Sequence, residues 1–228
     1  MNTRSFVVGA AASAVLCLAG TAVFSQPADK GKEPPKNAEK APQGMPEGMD
    51  MAKAMEDWAK TMNPGEHHKA LEPMVGKWKT MTKAYFGGPD VPPSVSHGTS
   101  TVTWVLGGRF VHEMMKGEMM MPDATGAMKP IPFEGSGLVG YNNGRKVYEG
   151  TWADNMGTQI LTFSGTASPD HKTFTSYGTM DEPMLGVVGR HIRYVTKVID
   201  NDHHTFTMYD LHAGENYKAM EISYERVK

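Results

Sequence analysis

From Lys77 onward the chain alternates apolar and polar residues with period two, in short segments broken by turn-forming residues. No other feature of the sequence restricts the fold as much. Segments near 77–86, 96–106, 109–119, 132–141, 145–153, 158–166, 172–180, 189–199, 204–211 and 216–227 read as strands. Asn142-Asn143-Gly144, Asp154-Asn155, Ser168-Pro169-Asp170, Asp200-Asn201-Asp202 and Ala213-Gly214 supply hairpin turns between them. No segment after residue 86 has a helical period, so crossover helices are not expected. Strands joined in this way fit a mainly β fold, an antiparallel up-and-down β-barrel of about ten strands, with a two-sheet sandwich as the rival.

The alternation also assigns faces at the two ends of the strand run. Trp78, Thr80 and Thr82 share one side, and Lys77, Lys79 and Lys83 share the other with Met81. On the last segment Met220, Ile222, Tyr224 and Arg226 oppose Glu221, Ser223 and Glu225. The charged sets must face water, which turns Trp78 and Arg226 inward together. Gly76-Lys77-Trp78 at the start and Arg226 at the end are therefore expected to form a structural lock. First and last strands pair, and a guanidinium lies over an indole, as in the closed end of lipocalin-like (calycin) barrels.

Three regions are expected: 1–25, 26–48 and 49–228. The first reads as a secretory signal peptide, with Arg4 ahead of an apolar run from Phe6 to Ala22 and a cleavage site at Val23-Phe24-Ser25. An uncleaved membrane anchor is the alternative. Cys17, the single cysteine, lies in that run behind Leu16, which does not fit a lipidation signal, so the mature chain is expected to have no cysteine. These features point to a periplasmic or secreted protein of a bacterial cell envelope. The second region holds Pro27, Pro34, Pro35, Pro42 and Pro46 among charged and small residues and reads as a disordered linker. Two short helices should follow. Met51, Met55, Trp58 and Met62 share a helical face. Asn63-Pro64-Gly65-Glu66 then reads as a stop and a new capping box, and the second helix should carry Leu71, Met74 and Val75 and end at Gly76. The mature chain would hold 22 Lys and Arg against 25 Asp and Glu, a balance that suggests neither nucleic acid nor an anionic membrane as partner. Oligomeric state is not legible.

Several stretches together resemble a bacterial family, the domain of unknown function numbered 1579. They are Pro64-Gly65-Glu66-His67-His68-Lys69-Ala70-Leu71, Val75-Gly76-Lys77-Trp78, Leu106-Gly107-Gly108-Arg109-Phe110, Phe133-Glu134-Gly135, Gly137, Gly140-Tyr141-Asn142 and the closing run from Lys218 to Arg226. The resemblance covers about residues 48–228. It implies a lipocalin-like barrel and brings no activity, substrate or catalytic residue. The methionine-rich stretch from Glu118 to Lys129 looks longer than the family pattern.

Candidates for lining a barrel cavity are Trp104, His112, Glu134, Tyr148, Trp152, Arg193 and Tyr209, a mixture of aromatic and polar groups suited to a small hydrophobic or amphipathic ligand. A solidly filled barrel is the competing expectation. Arg109 sits at a hairpin end and reads equally well as a strand-end salt-bridge residue. His67 and His68, adjacent on a helix, diverge by about 100° and so do not readily share a metal ion. The chain has 19 methionines in 228 residues, and those following His112 raise a second possibility, thioether binding of Cu(I) against adaptable apolar packing. Serine-hydrolase, zinc-protease, phosphate-loop and dinucleotide motifs are absent. His191 and His112 have no spacing that singles them out as haem ligands, and Asp200-Asn201-Asp202 lacks the rest of a calcium loop. The reading is an exported binding protein with no metal or other cofactor and no catalytic residue. Its alternatives are an enzyme with its site inside the barrel and a methionine-based copper protein.

Overall fold

In the computed structural model, which describes residues 48–228 except 86, 87, 89 and 90, period-two alternation becomes a closed antiparallel barrel. The expected signal over 1–25, and the linker but for its last residue, lie outside the described residues. The strands are β1 (Gly76–Ala84), β2 (Ser94–Val105), β3 (Phe110–Pro122), β4 (Met128–Asn142), β5 (Val147–Asp154), β6 (Leu161–Ala167), β7 (Thr173–Glu182), β8 (Val187–Val198), β9 (His203–Asp210) and β10 (Lys218–Arg226). Each pairs with its neighbour in sequence, and β1 pairs with β10 to complete the ring, which rules out the sandwich. The methionine-rich stretch lengthens β3 and β4 into one long hairpin. Asp123 closes its turn by accepting from Thr125 N, Thr125 Oγ1 and Ala127 N.

Helix α1 (Met51–Met62) follows its expected span, with Asp50 accepting from Lys53 N at its start. Its apolar row is not buried: Met51, Met55, Trp58 and Met62 are all exposed. The second helix differs from expectation. It is a single turn, α2 (Glu66–Lys69), followed by a 3-10 turn at Glu72–Met74, because Pro73 cannot donate to a continuing α-helix. The Asn63–Glu66 capping box does not form. Asn63 turns back to donate to Ala59 O, and it is the buried His68 that accepts from Gly65 N at 3.0 Å through Nδ1.

Residues 66–75 form a plug across one end of the barrel, held by side chains of the wall. Trp78 Nε1 donates to Met74 O at 2.9 Å, and Tyr148 donates from its hydroxyl to His67 O at 2.9 Å. Arg226 lies 4.1 Å above the Trp78 ring, with donors to Val75 O (2.7 Å), Pro73 O (2.9 Å) and Asn201 O (2.6 Å). Register puts Trp78 opposite Arg226, as the alternation requires. Gly76, at φ 145°, leaves room for this lock: a Cβ there would collide with the guanidinium. The core sits against the plug, around the buried Leu71, Trp78, Val102, Val111, Met115, Tyr148, Ile222 and Tyr224. Arg109 does not act as the expected salt-bridge residue; it donates to the carbonyls of Met62 and Leu106 and helps Asn143 hold the end of α1.

Replacing Arg226 by Ala removes the cation–π contact and leaves three carbonyls without a donor. The expected loss is about 2–4 kcal/mol of unfolding free energy in urea titrations. Arg226→Lys should recover less than half of it, because an ammonium cannot span the same acceptors. Unchanged midpoints in both variants would contradict the lock.

Candidate functional site

Above the plug the barrel is hollow. A cavity of about 790 Å³ runs from Leu71 and Met74 on the plug to loop residues such as Met156, Gln159 and Tyr217 at the far end. Short side chains line its middle, at Thr80 and Thr82 from β1 and Ser94 and Ser96 from β2. Methionines provide much of the wall: Met115, Met119 and Met121 from β3, Met180 from β7, Met208 from β9 and Met220 from β10. Such unbranched, polarisable side chains can re-pack around guests of different shape.

The candidate residues divide between this cavity, the plug and the outer surface. Trp152 lines the cavity, its indole flat across β4, where a Cβ on Gly135 or Gly137 would collide with the ring. Its Nε1 donates to Asp154 Oδ2 at 2.9 Å. Tyr148 also lines the cavity, with its hydroxyl fixed on the plug; burial raises that hydroxyl to about 12. Trp104 packs at the closed end and donates to Glu72 Oε2 at 2.6 Å. The other four face outward. His112 and Glu134 fall in the parity class opposite to the cavity-lining Val111, Met115, Phe133 and Gly137. His112 Nε2 meets Ser136 Oγ at 2.9 Å, and Glu134 pairs with Lys116 at 3.0 Å. His112 therefore does not converge with the wall methionines. Arg193 and Tyr209, opposite each other on β8 and β9, form an external contact with the guanidinium 4.5 Å above the ring.

Polar groups inside the barrel are different ones. Glu113 lies between Val111 and Met115 in the inward row of β3. It accepts a 2.6 Å hydrogen bond from Ser100 Oγ and a second bond from the Tyr224 hydroxyl. Burial raises the Glu113 carboxyl above the usual carboxylate value, outweighing the two hydroxyl bonds that favour the anion. Tyr224, buried beside that acid, is pushed well above the usual tyrosine value. His204 stacks on Tyr224 at 4.1 Å and meets Trp78 edge-on at 4.4 Å. Burial, assisted by the Arg226 charge, takes its imidazole from 6.5 to about 3, so it is neutral. Thr80 Oγ1, Tyr194 Oη and His204 Nδ1 are buried without a protein partner. Towards the far end Arg190 and Asp210 form an ion pair, both side chains 13% exposed. One signal for these residues was present in the sequence: a polar residue in the apolar parity class of its own strand, as with Glu113 between Val111 and Met115 or His204 before Phe206.

Comparison with known proteins bears on family and fold. The profile described as protein of unknown function (DUF1579) matches residues 63–226. The chain belongs to the DUF1579 family. The match spans the plug and all ten strands of this DUF1579 barrel, from Asn63 to Arg226. Among solved structures it is similar to the crystal structure of Rv2717c from M. tuberculosis, at 15% identity over 73% of this chain and 100% of that one, with a TM-score of 0.50. That likeness is one of fold. A de novo designed fluorescence-activating β-barrel covers 69% of this chain and 97% of its own at 11% identity and a TM-score of 0.36, too distant to bear on the site. No curated protein sequence matches the chain.

Because unfolded histidine titrates near 6.5 and His204 near 3, the unfolded chain takes up a proton that the folded one refuses as pH falls through this window. Stability is thus held above about 6.5 and lost on acidification. His204→Phe keeps a ring on Tyr224 without the titration. It should lose about 2 kcal/mol less than the parent between about pH 7 and pH 5, read from urea midpoints. Parallel losses would place His204 in contact with water.

Proposed function

We propose that this barrel binds a small hydrophobic or amphipathic molecule in its interior and holds it without transforming it. The observation that carries the reading is the hollow itself: about 790 Å³, closed by the plug at one end and walled by methionine, aromatic and small side chains. A pocket of that size and lining suits a compact organic guest. An evolved barrel intended only as a rigid body fills its interior with side chains. Here short side chains such as Thr80, Thr82 and Ser96 line the space while the closed end is densely packed. In the same proposal the protein acts in the periplasm or outside the cell, because residues 1–25 read as an export signal.

The test uses the purified protein and Nile red, a neutral dye that fluoresces in apolar surroundings. Saturable binding is expected, with organic extracts of protein purified from its native host yielding a co-purifying small molecule by mass spectrometry. Thr82→Phe puts a ring into the cavity from β1 and should weaken dye binding about tenfold or more while leaving the circular dichroism unchanged. Absence of both dye binding and any extracted molecule would overturn the proposal.

A further inference from the structure

We propose that the Glu113 carboxyl is the recognition element of the cavity, selecting a neutral guest with an apolar body and one hydrogen-bond-accepting oxygen, such as a ketone, ester or amide. This inference rests on the binding role proposed above and specifies its guest.

Glu113 is enclosed by strands on every side, yet its side chain is only half-buried, since the surface it keeps faces the hollow. It sits on the plug side of the methionine rows: Met119 and Met121 continue β3 towards the far end, and Val111 leads back to the closed end. A guest entering from the loops therefore meets apolar wall first and the acid last. The acid is also positioned. Ser100 from β2 and Tyr224 from β10 bond it, which fixes the carboxyl in one orientation.

Charge decides the class of guest. Among the described residues no cation engages Glu113: Arg190 is held by Asp210, and Arg226 is occupied by Trp78 and the carbonyls of Pro73, Val75 and Asn201. With no counter-charge, burial shifts the acid towards its protonated form. A protonated carboxyl has one donor and several acceptor sites. The Ser100 and Tyr224 hydroxyls fill the acceptor side and leave the acid proton for a guest oxygen. A carboxylate guest would find no cation beside it. An alkylammonium guest would have to ionise Glu113 and shed its own water as well. The neighbouring unpartnered atoms, Thr80 Oγ1 and His204 Nδ1, add polar character to the same region. A site built around a buried donor discriminates strongly against analogues that lack the acceptor.

Displacement of Nile red by compounds of one chain length separates the possibilities: octane, 2-octanone, octanoate and octylamine. For the parent protein 2-octanone should compete about tenfold better than octane, and both ions should compete worse than the ketone. Glu113→Leu should bring ketone and octane within about twofold of each other, whereas Glu113→Gln, which still donates, should keep most of the preference. Equal competition by octane and 2-octanone in the parent overturns the inference while leaving the binding role intact. Octylamine as the best competitor also overturns it, reassigning Glu113 as a counter-ion. No dye binding and no competition by any compound removes the binding role, and the inference with it.

Discussion

Arg226 stacked on Trp78 is the contact on which the rest of this barrel depends. It joins the last strand to the first, so the ring has no free edge, and its donors reach carbonyls of the segment that crosses the barrel end. The same indole donates to Met74 O, so one pair of side chains sets both closure and cover. Tyr148 and Trp104 add anchors at His67 and Glu72. With four wall residues bonded to one short segment, the closed end behaves as a packed core. Space can remain only beyond it.

Stability and binding capacity are therefore segregated along the barrel axis. Dense packing around Leu71, Trp78, Val102 and Ile222 offsets the dispersion energy that an empty middle forgoes. Buried polar groups lie at the boundary between the two zones. Glu113, Tyr224 and His204 would each be replaced by an aliphatic side chain in a barrel selected for stability alone, since burying a polar group costs desolvation even where it is bonded, and the unpartnered His204 Nδ1 costs about 1–3 kcal/mol. Their presence next to a hollow is what turns an inert filling into a candidate for selective recognition.

Fold was legible to a large extent because alternation is a strong local signal. All ten strands lie within a few residues of the expected spans, and the Trp78–Arg226 register follows from parity at both ends. Local helix signals were less reliable: Pro73 broke the second helix, and His68 took the capping role that Glu66 was expected to fill. The cavity was only partly legible. Tyr148 and Trp152 line it, whereas His112, Glu134, Arg193 and Tyr209 share the outward parity of their strands and cannot. Their chemical type suits a ligand, but the face a residue occupies decides whether it can reach one. Glu113 is marked by its place as the acid in an inward row. No pattern in the sequence gives the size of the hollow, because that depends on how small residues from non-adjacent strands face one another across the ring.

The claim that a guest sits between the plug and the methionine wall is tested most directly by anomalous diffraction from crystals soaked with 8-bromo-2-octanone. The account predicts bromine density inside the barrel, towards the loops, with the ketone oxygen at hydrogen-bond distance from the Glu113 carboxyl. Bromine found only on the outer surface, with side chains filling the interior, would contradict it.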